Sequence, residues 1–108
     1  MPFIDPKTLP AKEIAKGIKI RVAWGDKLMI SFVDFEPNAL VPRHRHPHEQ
    51  MGIGLEGEFE FVIGDEKKII RPGDSYYIPS NMEHSSRTYD KPAKALDIFT
   101  PPREEYKR

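Results

Sequence analysis

Apolar and polar residues alternate along most of this chain with the two-residue period of strands that bury one face. Ile18, Ile20, Val22 and Trp24 alternate with Lys19, Arg21 and Ala23; Gly25-Asp26 turns the chain, and residues 28–35 return as the second strand of a hairpin. Pro37-Asn38 and Pro42 interrupt the next stretch. Residues 52–63 are strand-like again, with glycines suited to bulges or sharp bends, and Gly64-Asp65 and Pro72-Gly73-Asp74 make turns. Residues 67–70, 75–79 and 93–100 supply the remaining strands. Only residues 9–16 suggest a helix, a single short N-terminal turn or two that caps one end, and the tail 101–108 cannot continue a strand past its prolines. Regular strands separated by turns predict an all-β fold closed into a barrel or jelly roll, because closure removes edges that would otherwise pair with other chains.

Composition narrows this picture. A chain of 108 residues has room for one core, so residues 1–108 are expected to form a single domain. Its apolar runs are too short to cross a membrane, and its first residues lack the basic start, apolar run and cleavage site of a signal peptide, which makes the cytoplasm the default location. The 17 basic and 17 acidic side chains balance, without a basic run interleaved with aromatics, so nucleic acid is not an expected partner. Cysteine is absent, which leaves only imidazole and oxygen to hold any metal.

All four histidines fall in two places: His44, His46 and His48 within five residues, and His84. Residues two apart on a strand point the same way, so His44 and His46 can present their rings to one point inside a barrel, and Gln50 is the best placed side chain to join them. On spacing alone, a solvent-exposed histidine-rich loop is the competing reading. The run Pro42-Arg43-His44-Arg45-His46-Pro47-His48-Glu49-Gln50 leading to Gly57, followed by Pro72-Gly73-Asp74, Pro79 and His84, resembles the two cupin motifs in order and spacing. The resemblance implies a jelly-roll barrel, usually dimeric, with one divalent transition metal (Zn, Ni, Mn, Fe or Cu) held by His44, His46, His84 and Gln50. Gln50 stands where these motifs usually have Glu. Four neutral ligands leave the ion its full charge, which favours an anionic partner and weakens a dioxygenase reading. Glu49 points away from Gln50 if both lie on one strand, and His48 is expected in a supporting or rim position beyond the bend at Pro47.

Asp97 lies in the middle of the apolar strand Leu96-Asp97-Ile98-Phe99-Thr100, on the face of Ala95 and Phe99, where a carboxylate must meet a cation or work in a cavity. A salt bridge at the barrel rim is the alternative. This segment, with Ile18-Lys19-Ile20-Arg21-Val22 and the first histidine motif, looks like the pectin-degradation cupins that open the ring of 4,5-unsaturated uronates. The resemblance implies Asp97, Phe99 and Arg103 as catalytic and binding residues, and a sugar acid as the small anionic substrate. Two rival readings stand beside it: a metal-containing module that binds a small anion or sugar acid without transforming it, and an oxygen-using cupin dioxygenase. Trp24, Tyr76, Tyr77 and Met82 are further candidates to line a sugar site, although aromatics in a small barrel more often fill its core or a dimer face.

Overall fold

The structure, a computed structural model, describes residues 2–107; Met1 and Arg108, the ends of the expected 1–108 domain, lie outside the described residues. Ten strands follow one another: β1 (Lys12–Ala15), β2 (Ile18–Trp24), β3 (Met29–Phe35), β4 (Leu40–His44), β5 (Glu49–Glu56), β6 (Phe59–Ile63), β7 (Glu66–Ile70), β8 (Ser75–Ile78), β9 (His84–Arg87) and β10 (Ala93–Thr100). They form a six-stranded sheet in the order β1-β2-β3-β10-β5-β8 and a four-stranded sheet in the order β4-β9-β6-β7, with every neighbouring pair antiparallel. This is the all-β jelly roll expected from the alternation.

Strand β3 shows why the pattern was readable. Met29, Ser31, Val33 and Phe35 are buried while Ile30, Phe32 and Asp34 turn outward, a strict alternation over the whole strand. Phe35 stacks on Phe59 of the opposite sheet at 5.0 Å, and these two join Ile18, Ile20 and Ile78 in the core between the sheets. Each such side chain contributes roughly 1.5–3 kcal/mol through burial. Gly57 (φ +65°) takes a left-handed conformation that glycine adopts readily, in the connection that carries the chain from β5 of the large sheet to β6 of the small one.

Three local expectations need correction. Residues 12–15 are strand β1 and not a helix: the helix-forming Lys12, Glu13 and Ala15 pair with β2, and Ile14 and Ala15 pack against the core, which outweighs their intrinsic preference. The short N-terminal turn lies earlier, at Pro6–Thr8, where the Asp5 side chain accepts a hydrogen bond from the Lys7 backbone N–H. Pro42 does not break the chain but sits within β4, an edge strand whose pairing with β9 is irregular between Val41 and His44, so its missing N–H disturbs no regular ladder. Beyond these, β9 carries no apolar alternation at all, yet it is paired on both sides, with β4 and β6.

On the outer face of the large sheet, the registers align Ile30, Ile98, Met51 and Tyr77 in one row across β3, β10, β5 and β8. Met51, Tyr77 and Ile98 are exposed there. Among the described residues no helix is long and apolar enough to cross a membrane.

Candidate metal centre and adjoining cavity

The small sheet supplies two histidines. His44 ends β4 and His84 begins β9, and they are direct cross-strand partners. His46 lies two residues past the end of β4, in the loop before β5, so it reaches the same point by a turn of the chain and not by the strand alternation expected from sequence. One potential ligand atom from each of the three rings lies within 4.8 Å of the others. Gln50 joins from the large sheet. It is buried on the inner face of β5, whereas Glu49 is exposed and accepts a hydrogen bond from the Tyr77 hydroxyl.

Backbone carbonyls orient all three rings. Nδ1–H of His44 donates to Pro42 O at 2.9 Å, that of His46 to His48 O at 3.0 Å, and that of His84 to Met82 O at 2.9 Å. Each Nε2 is thereby left as a lone-pair donor to a metal. Nε2 of His46 then faces Oε1 of Gln50 at 3.1 Å, an acceptor against an acceptor, which is favourable only with a cation or proton between them. Burial lowers the pKa of His46 and, helped by the neighbouring histidines, takes that of His84 down to about 4, against the opposing hydrogen bond to Met82. Neutral imidazole is the form a metal requires. The donor set of three imidazoles and one amide oxygen therefore fits a divalent transition ion. His48 contributes its carbonyl to this arrangement; its own ring stays outside the cluster, and its Nδ1 has no partner among the described residues.

The other predicted residues converge on the same place. A cavity of about 60 Å³ is lined by His44, Gln50, His84, Asp97, Phe99 and Arg103 among others. Asp97 projects from the inner face of β10, and the Tyr76 hydroxyl donates to its Oδ1 at 2.6 Å. Burial raises the carboxyl pKa to about 6; the Tyr76 hydroxyl, the Gln50 carboxamide and the Arg103 charge all oppose that rise. Phe99 is buried with its ring edge-on to His46, centroids 5.8 Å apart. Arg103 lies beyond β10, yet it is almost wholly buried: its guanidinium rests 4.1 Å from the centre of the Tyr106 ring and 5.1 Å from that of Phe99. Nε and Nη2 of Arg103 donate to one carboxylate oxygen of Glu105 at 3.2 and 2.9 Å.

Sequence reasoning missed Tyr106 and Glu105, which fold back in a 3-10 turn at Glu104–Tyr106, and Ser31, whose buried hydroxyl has no partner among the described residues. Tyr76 lines the cavity, but Trp24, Tyr77 and Met82 are exposed and do not.

Comparison with known proteins shows the family and the fold. A family model described as "Cupin domain" matches residues 31–99. The pectin degradation protein KdgF of Dickeya dadantii is 35% identical over 106 residues, covering 96% of this chain and 96% of that protein. Among solved structures, KdgF from a Halomonas species superposes with a TM-score of 0.90 at 26% identity, covering 98% of both chains. An RmlC-like cupin from Shewanella frigidimarina gives a TM-score of 0.91 at 25% identity, covering 98% of this chain and 96% of that one.

Proposed function

This chain belongs to the cupin family, and from that premise we propose that it is a single-domain, metal-dependent enzyme that opens the ring of a 4,5-unsaturated uronate to a linear keto acid. One observation carries the reading: Asp97, Phe99 and Arg103 line the same cavity as His44, Gln50 and His84, so an acid–base group, an apolar wall and a guanidinium surround one candidate metal centre. Resemblance to KdgF proteins along nearly the whole chain supports the substrate class.

The reaction is an isomerisation without an oxidant. A proton leaves the hydroxyl on the ring carbon next to the ring oxygen, the bond between that carbon and the ring oxygen breaks to give an aldehyde, and the released electron pair makes the ring oxygen an enolate. Return of a proton to the far carbon of the double bond gives the ketone. Asp97, with its pKa near 6, suits both transfers, taking the proton from oxygen and delivering it to carbon. Arg103 pairs its planar fork with the substrate carboxylate, for which Glu105 stands in as its present partner. Phe99 packs against the ring and keeps water from that side. A divalent ion held by His44, His46, Gln50 and His84 would supply positive charge to the carboxylate and the developing oxyanion.

Absorbance of the conjugated double bond tests the proposal. Metal-loaded protein is expected to remove it catalytically from unsaturated galacturonate, and Asp97→Asn to abolish turnover while retaining the metal. Stoichiometric binding without loss of absorbance would favour the binding-module reading instead. We also assign homodimer formation to the outer row of Ile30, Ile98, Met51 and Tyr77; a monomeric mass in solution would refute that assignment.

A further inference from the structure

Across the inner face of the large sheet, the strand registers place Asp97 of β10 opposite Gly52 of β5, and Gly52 opposite Tyr76 of β8. The middle position carries no side chain. A Cβ built on Gly52 would overlap Oδ1 of Asp97 on one side and the ring of Tyr76 on the other. Tyr76 therefore lies over a bare stretch of backbone, and its hydroxyl crosses an entire strand to reach a carboxylate two strands away. Its ring cannot wander: it is buried and packs on Phe61, centroids 4.5 Å apart, and edge-on to Phe59 at 6.3 Å. Asp97 is equally confined, because its strand is paired with β3 on one side and with β5 on the other. The freedom left to the carboxylate is rotation about its own side-chain bonds, and the phenol restrains it at Oδ1.

We infer that Tyr76 is a positioning residue for the acid–base chemistry of Asp97: by committing Oδ1 to its hydroxyl, it makes Oδ2 the oxygen that exchanges a proton with the substrate, and Gly52 is required because only glycine leaves that path open. A carboxylate that turned freely would offer either oxygen at a range of angles, and proton transfer is sensitive to such misalignment. The inference rests on the ring-opening reading above and adds to it the group that aims the proton.

The test uses full-length, metal-loaded protein and unsaturated galacturonate, with kcat expressed per folded, metal-bound molecule. Tyr76→Phe keeps the ring and its packing but loses the hydroxyl; it is expected to lower kcat about tenfold or more while KM and bound metal stay within about twofold of wild type. Gly52→Ala should reproduce the kcat loss. A Tyr76→Phe enzyme with wild-type kcat, or one whose loss lies in KM and not in kcat, would overturn the inference, as would a loss explained entirely by missing metal. If wild-type protein itself leaves the double bond intact, the ring-opening reading fails and takes this inference with it; if wild type turns over and Tyr76→Phe does too, only this inference falls.

Discussion

His44 and His84 stand directly opposite each other across the β4–β9 pair, with ring centroids 4.3 Å apart. Two imidazoles so placed repel when both are protonated and share a cation when both are neutral. Metal-loaded protein is therefore expected to unfold at a higher temperature than protein stripped with a chelator, by about 2.7 kcal/mol in stability when free ion exceeds its dissociation constant a hundredfold. His84→Ala should erase the difference. Calorimetric scans of both forms check this, and coincident midpoints for wild type would rule the cluster out as a metal site.

Arg103 combines a two-point contact to carboxylate with stacking on Tyr106, and lysine can reproduce neither. Arg103→Lys is expected to raise KM for a uronate roughly tenfold, the size of a lost charged hydrogen bond, with the metal content unchanged. Steady-state kinetics beside metal analysis measure it; an unchanged KM would place the substrate carboxylate elsewhere.

Burial, reinforced by the facing Asp97 charge, raises the Tyr76 pKa well above its usual value near 10. The unfolded chain loses this phenolic proton near pH 10 while the folded chain keeps it, so above that pH the folded state binds more protons and loses stability as pH rises. Denaturant midpoints should thus fall between neutral pH and pH of about 11, less steeply in Tyr76→Phe than in wild type. Parallel slopes in the two proteins would show that Tyr76 ionises freely in the fold.

Ser31 hides a hydroxyl with no partner among the described residues. An unpaired buried polar group costs stability, so Ser31→Ala is expected to be neutral or stabilising by up to about 1 kcal/mol in urea unfolding. A marked destabilisation would reveal a hydrogen bond that the hydroxyl makes through solvent.

How much of this was legible in the sequence depended on how local the cause was. The alternation of β2, β3 and β10 is enforced by burial of one face, and burial leaves its mark on every second residue. Residues 12–15 misled because their side chains favour a helix, and only the distant pairing with β2 reverses that preference. Strand β9 was invisible because its residues are polar: His84 and Ser86 line the cavity, Ser85 lies on the opposite face, and the strand is held by pairing along both edges. The convergence of His44 and His84 with His46 could be read from the histidine motifs taken together, although His46 reaches the cluster from a loop. The partnership of Tyr76 with Asp97 could not, since it depends on the vacancy at Gly52 and on a sheet order that interleaves the last strand between β3 and β5. Likewise nothing local in Tyr106 announces that its ring will cover an arginine.

Arg103 is carried by the stretch after β10, outside all ten strands, and is steadied by its near neighbours Glu105 and Tyr106. On the proposed reading, the group that meets the substrate carboxylate is therefore set by sequence outside the strands, while Tyr106 anchors it to the core. If that reading holds, variation in the few residues following Pro102 would retune which acid group is recognised without altering the imidazole cluster, which the small sheet and the loop at His46 supply.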